Sequence, residues 1–185
     1  MLSDPQPAAS SAAAATAETG SAARLALPAE LAAFVQAGLS ITVAGRDERL
    51  VPSIAKAVGC RVSADGRQVT VLLFADTAET VTRDIAANGL IAVAYSQPST
   101  HRSLQLKGRD ALSVPATPAD VALVRRHLAL FAADIARMGW QQEFVDTMFW
   151  RDPAQLMAIR FTPDSAFAQT PGPNAGQPMC LHPPA

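Results

Sequence analysis

Short apolar runs and strict alternations of apolar and polar residues dominate this chain, and apolar residues recur at helical spacing in only a few places. Val69 to Ala75 and Leu90 to Tyr95 are rich in Val, Ile, Leu and aromatics and predict strands. Ser103 to Lys107 alternates, with Leu104 and Leu106 on one face and Ser103, Gln105 and Lys107 on the other, so this strand offers a polar face. Leu39 to Val43 predicts a strand and Gly45 to Glu48 a polar turn. Leu50 to Val62 reads as a longer extended run with Gly59 as a bulge, closed by the Ala64-Asp65-Gly66 turn. The strand from Ser103 is expected to continue to Val114, where Pro115 stops it.

Helices are expected at the start, in one crossover and near the end. Pro28 to Gly38 predicts an opening helix with Leu31, Phe34 and Val35 inward. Asp76 followed three residues later by Glu79 predicts a capping box, and Asn88-Gly89 a left-handed exit, so a short helix carries Thr80, Thr82 and Arg83. Thr117 caps a longer helix with Pro118 at its first position. Along it Val121, Val124, Leu128, Phe131, Ile135 and Met138 form a seam that faces a barrel or another subunit. Gln141 to Phe149 is a second helical piece beyond Gly139, ended by Asp152-Pro153, and Gln155 to Pro173 holds the last strand and its return. The sum predicts a mainly β fold with α elements: a six-stranded antiparallel barrel with flanking helices.

The length of 185 residues suits one domain once the biased ends are set apart: an Ala/Ser/Thr-rich leader, residues 1–27, expected to be flexible; the domain, 28–170; and a Pro-rich extended tail, 171–185. With 49% apolar and 17% charged residues, disorder of the whole chain is excluded. A net charge of −1 without a dense Lys/Arg block argues against nucleic acid. No apolar run approaches the roughly 20 residues needed to cross a bilayer. The leader lacks the basic and compact apolar regions of a signal peptide, so a soluble, cytoplasmic protein is expected. Cys60 and Cys180 read as two reduced thiols.

Dinucleotide, Walker, Gly-x-Ser-x-Gly and His-Glu-x-x-His motifs are absent, which excludes the chemistries built on them. His101, His127 and His182 fall on a loop, a helix and the tail, and no metal site is expected of them.

The order of elements between Leu39 and Gly108, with IAVAYS and SLQLKG as successive strands, and the closing QLMAIRFTPDSAFAQTPGP, resembles the FMN-binding split-barrel proteins related to pyridoxamine 5′-phosphate oxidase. The resemblance covers most of the chain beyond Leu27 and implies a split barrel. It implies FMN as cofactor, a homodimer with the flavin between two barrels, and a flavin-dependent oxidoreductase or flavin reductase acting on a small molecule by hydride exchange. Such a cofactor needs a cationic nest for its phosphate and a flat, largely apolar slot for its ring. Arg83, Thr80 and Thr82 are candidates for the first, with Lys56 reaching in from the preceding hairpin. Gln105 and Ser103 resemble in position the family's residues near the ring, with the backbone of Pro52 to Ala55 opposite. Asp76 and Glu79 stand in the first helical turn where family members often carry Ser, Lys or Arg, and their charge opposes a nearby phosphate. The alternative is a non-catalytic barrel holding haem or another flat ligand, with His101 as the candidate axial ligand.

Overall fold

Leu31, Phe34 and Val35 form the buried side of the first helix, α1 (Ala29–Val35), in the computed structural model, which describes residues 26–181. The expected leader lies, but for its last two residues, outside the described residues, as does His182. Three strands follow, β1 (Ser40–Arg46), β2 (Pro52–Ala57) and β3 (Gly59–Val62), and then β4 (Val69–Phe74). The single run expected from Leu50 to Val62 is divided at Val58. There the chain leaves one sheet for another, and a Cβ on Gly59 would come within 2.9 Å of Leu123 Cδ2.

β4 passes without a loop into α2 (Ala75–Asn88). Its N-cap is Phe74, with no side-chain cap, so the capping box expected of Asp76 and Glu79 is not formed: the helix begins one residue before Asp76, which puts that carboxylate inside the first turn. The exit is as expected, with Gly89 left-handed at φ 69°, donating to Ile85 O. Next come β5 (Ile91–Ser96), β6 (Ser103–Gly108) and β7 (Leu112–Pro115). The strand expected to run unbroken from Ser103 to Val114 is split between Gly108 and Leu112. Gly108 is the corner: a Cβ there would meet Phe161 Cδ2 at 2.7 Å and Thr162 O at 2.8 Å.

α3 (Pro118–Ala136) has the predicted cap, Thr117 with Pro118 at the first position, and Asp120 completes it as a reciprocal capping box. Val124, Leu128, Phe131 and Ile135 of the expected seam are buried, whereas Met138 is exposed beyond the helix end. α4 (Gln142–Phe149) leads through a 3-10 turn to β8 (Leu156–Phe161), β9 (Ser165–Ala168) and β10 (Pro178–Met179). The tail expected to be extended folds back: β10 pairs with β9, and Leu181 is buried in the core.

The strands form two antiparallel sheets, ordered β10-β9-β6-β5-β1-β2 and β3-β4-β8-β7. The expected antiparallel split barrel with flanking helices is thus the observed architecture, with six strands in the larger sheet and four in the smaller. Its interior is filled by Val43, Val71, Val93, Tyr95, Leu106 and Phe161. A second apolar layer, with Leu72, Phe74, Val124, Leu128 and Phe131, joins the smaller sheet to α3 and α4. β4 contributes alternate residues to both layers, which is why all six of its residues, Thr70 included, are buried.

Candidate functional site

Alternation along β2 sends Ser53, Ala55 and Ala57 into the barrel and leaves Pro52, Ile54 and Lys56 on the outer face. The register then lines up one row across five strands: Lys56 opposite Thr42, Thr42 opposite Ala94, Ala94 opposite Gln105, and Gln105 opposite Phe167. Lys56 and Gln105 therefore share a face, about 14 Å apart at the ~4.8 Å spacing of neighbouring strands. Lys56 Nζ donates to Ser40 Oγ and Thr42 Oγ1, both at 3.0 Å. Partial burial lowers its pKa, because the ammonium loses hydration there.

Beside Lys56 lies a cavity of about 520 Å³. Ile54, Phe74, Met148 and Phe149 give it apolar walls, and Lys56, Thr42, Thr77 and Arg151 its polar groups. Two of the lining residues, Phe74 and Thr77, belong to the start of α2, whose first-turn N–H groups have no side-chain cap. A helix N-terminus of this kind favours an anion. Asp76, the carboxylate that would oppose one, lies 3.8 Å from Arg151 Nε. Arg151 is anchored by donating to Trp150 O at 2.8 Å, and the Trp150 ring packs edge-on against Phe74 at 6.2 Å. Apolar walls with a few convergent cationic and hydroxyl groups, at this volume, are the features of a small-molecule site.

Of the residues expected from the sequence, the structure places Lys56 in this cavity, with Ile54 and Ala55 of the expected backbone wall. The others lie elsewhere. Arg83 is 68% exposed, and its Nε is 3.6 Å from the buried Asp84, which also accepts from Ser53 Oγ at 2.7 Å. Thr82 bonds back to the carbonyls of Ala78 and Glu79 within its own helix, and Thr80 is exposed. Ser103 Oγ donates to His101 O at 3.0 Å and sits 2.8 Å from Ser96 Oγ. Gln105 is on the row but not in the cavity lining. His101 is exposed on the β5–β6 turn at φ 60° and does not line the cavity. Sequence reasoning missed Thr42, Thr77, Met148, Phe149 and Arg151. The Phe-Trp-Arg run before Asp152-Pro153 was a usable signal, since two aromatics and a cation at a helix end are more than a stop requires.

No family model and no curated protein matches this chain. Solved structures do. HupZ from Group A Streptococcus is 13% identical, with 81% of this chain and 100% of that one covered and a TM-score of 0.49. A pyridoxamine 5′-phosphate oxidase-related, FMN-binding protein from Nostoc punctiforme is 10% identical, with 74% and 77% covered and a TM-score of 0.40. HutZ, a heme storage protein from Vibrio cholerae, is 18% identical, with 78% and 95% covered and a TM-score of 0.42. The likeness to each is one of architecture. Among the described residues, no helix is long and apolar enough to cross a membrane.

Proposed function

We propose that the Lys56 cavity holds flavin mononucleotide and that the chain works as a flavin-dependent oxidoreductase or flavin reductase on a small molecule. The observation that carries this reading is the meeting of two cations, Lys56 and Arg151, with an uncapped helix start and apolar walls in one cavity. These residues fit the group. Lys56 and Arg151 would take the phosphate, with the carboxylate of Asp76 offset by Arg151. Ser40 and Thr42 orient the Lys56 ammonium through its two hydrogen bonds. Ile54, Phe74 and Phe149 exclude water, and Gln105, further along the row, offers an amide to the ring. The flavin, when bound, supplies hydride exchange. The chain's own groups bind and orient rather than act as a strong acid or base.

A homodimer belongs to the same proposal. The outer face of the larger sheet carries Thr42, Ala44, Ala92 and Ala94, small enough for a second sheet or a flat ligand to approach, beside an exposed Ile54. Sedimentation at micromolar concentration should give a dimer, and a monomer throughout would remove a site shared between subunits.

Titration with FMN and riboflavin, followed by flavin fluorescence, tests the cofactor. Lys56→Ala should weaken FMN by about 1.5–3 kcal/mol more than riboflavin, the worth of a hydrogen bond to a charged group, because riboflavin lacks the phosphate. Gln105→Ala should weaken both alike. A selective loss on Arg83→Ala instead would move the phosphate to the outer side of α2, and no binding of either flavin would end the reading. A haem Soret band in the purified protein would favour the flat-ligand alternative.

A further inference from the structure

His127 of α3 is buried, and the binding of a flavin beside Lys56 makes no direct use of it. Its Nε2 is 3.0 Å from the carbonyl oxygen of Leu39. A carbonyl can only accept, so Nε2 carries the proton and donates. Burial takes the ring pKa down to about 4, which keeps it neutral near pH 7 and in this one tautomer. Leu39 is buried as well and stands just before β1. Ser40, the first residue of β1, pairs with Ser96 of β5, whereas the pairing of β1 with β2 begins one residue later, at Ile41 opposite Ala57. The ladder therefore holds this strand end on one side only, because the other chain leaves the larger sheet at Val58. α3 supplies the second hold: His127 grips the Leu39 carbonyl, and Gly38, left-handed at φ 75°, runs so close to Leu130 that a side chain there would clash. To the same strand end Lys56 is tied, since Ser40 Oγ accepts from Lys56 Nζ at 3.0 Å. His127, Ser40, Lys56 and Phe149 line one narrow gap, and Lys56 and Phe149 also line the larger cavity.

We infer that His127 is a positioning residue for Lys56: by holding Leu39 it fixes Ser40, and Ser40 sets where the Lys56 ammonium stands in the cavity. Thr42, the other acceptor from Lys56, is paired on both sides within the sheet, so the Ser40 bond is the one that α3 controls. Arg151 is the other charged residue of the cavity lining, and it faces Asp76. An ammonium already held in place loses less freedom when an anion arrives, which is how a residue that touches no ligand raises affinity. The consequence for a phosphate rests on the flavin reading, whereas the hold on Lys56 does not.

Two readouts on the full chain test the inference. The first is the Lys56 side chain itself, followed by NMR of selectively labelled lysine across a pH titration; Lys56 and Lys107 are the lysines of the sequence, and Lys107→Arg assigns the signals. A hydrogen bond to the charged form favours that form, so losing the Ser40 bond should lower the Lys56 pKa further. Ser40→Ala and His127→Phe should both do so, while His127→Gln, which keeps an N–H donor for the Leu39 carbonyl, should not. The second readout is flavin titration. Ser40→Ala and His127→Phe should each weaken FMN by about threefold to tenfold, the worth of one hydrogen bond, and leave riboflavin unchanged. The double variant should lose no more than either single one, as expected of two residues that act through the same contact. An unmoved Lys56 pKa in His127→Phe, additive losses in the double variant, or equal effects of Phe and Gln at position 127 overturn the inference. Should the parent bind neither flavin, the flavin reading fails, and the Lys56 titration still decides the role of His127.

Discussion

Replacing Asp120 by alanine removes the carboxylate that joins α3 to β3, and the structure sets the size of the effect. Asp120 is 2% exposed and accepts from Thr117 N, Thr117 Oγ1 and Arg61 Nε, each at 2.9 Å. Loss of one half of a capping box costs about 1 kcal/mol. The bond to a charged Arg61 would be worth about 1.5–3 kcal/mol if both partners were buried. Arg61 is 42% exposed, however, and can turn to water once its partner is gone, which reduces that share to about 1 kcal/mol. Alanine returns about 0.5 kcal/mol through better helix propensity. The net loss is about 1.5 kcal/mol, or a Tm lower by about 3–6 °C for a domain of this size. The effect should depend on pH with a definite sign. Burial by itself raises the Asp120 pKa, but the bonds from Thr117 and the Arg61 guanidinium outweigh it and hold the carboxyl below its usual 3.8. Its contribution is therefore complete above the unfolded-state value and is lost as pH falls through the folded one. Urea unfolding of both proteins at pH 7 and at steps below pH 4 measures this. A loss under about 0.5 kcal/mol at pH 7 is no more than an ordinary surface change. That result, or a gap that stays constant into acid, would refute the reasoning.

His127 is buried with Nε2 3.0 Å from Leu39 O, and burial takes its pKa from 6.5 down to about 4. The unfolded chain then binds the extra proton first, so stability should fall by up to about 3 kcal/mol as pH drops from 6.5 toward 4. His127→Gln should flatten that slope in urea melts, and an unchanged slope would assign it to other groups. Gly108→Ala should destabilise by about 1–3 kcal/mol, because the new methyl meets Phe161 and the Thr162 carbonyl with no room to move; a Tm equal to the parent's would show that the corner can open. Cys60 is buried beside the Tyr95 hydroxyl, and burial pushes its thiol up to about 12, whereas Cys180 is exposed. A thiol reagent should therefore label one cysteine in the native protein and the second only on unfolding; two equivalents reacting at once would contradict the packing.

The amino-acid sequence alone determined the parts of this protein that depend on neighbours along the chain. Thr117-Pro118 with Asp120 set the start of α3, Asn88-Gly89 the end of α2, and the alternation in SLQLKG the polar face of β6. These are short-range effects of hydrogen bonding, backbone freedom and side-chain period, and they hold before any tertiary contact forms. The two sheet changes, at Val58 and after Gly108, were not legible in the same way. Each looked like a continuous extended run, because a strand that leaves one sheet for another keeps its local pattern; only the close packing of Gly59 on Leu123 and of Gly108 on Phe161 decides where it bends. The candidate site divides along the same line. Lys56 could be picked out by its place on a strand, but Arg83 reads from its helix equally as a phosphate ligand, a solvated charge or a partner of Asp84 or Asp76, and only the structure sets it beside the buried Asp84. Arg151, almost a hundred residues from Lys56 in sequence, joins it in one cavity because the second apolar layer seats α4 against Phe74 through Trp150. Contacts between residues that far apart depend on how whole layers pack, and no local pattern in the chain encodes them.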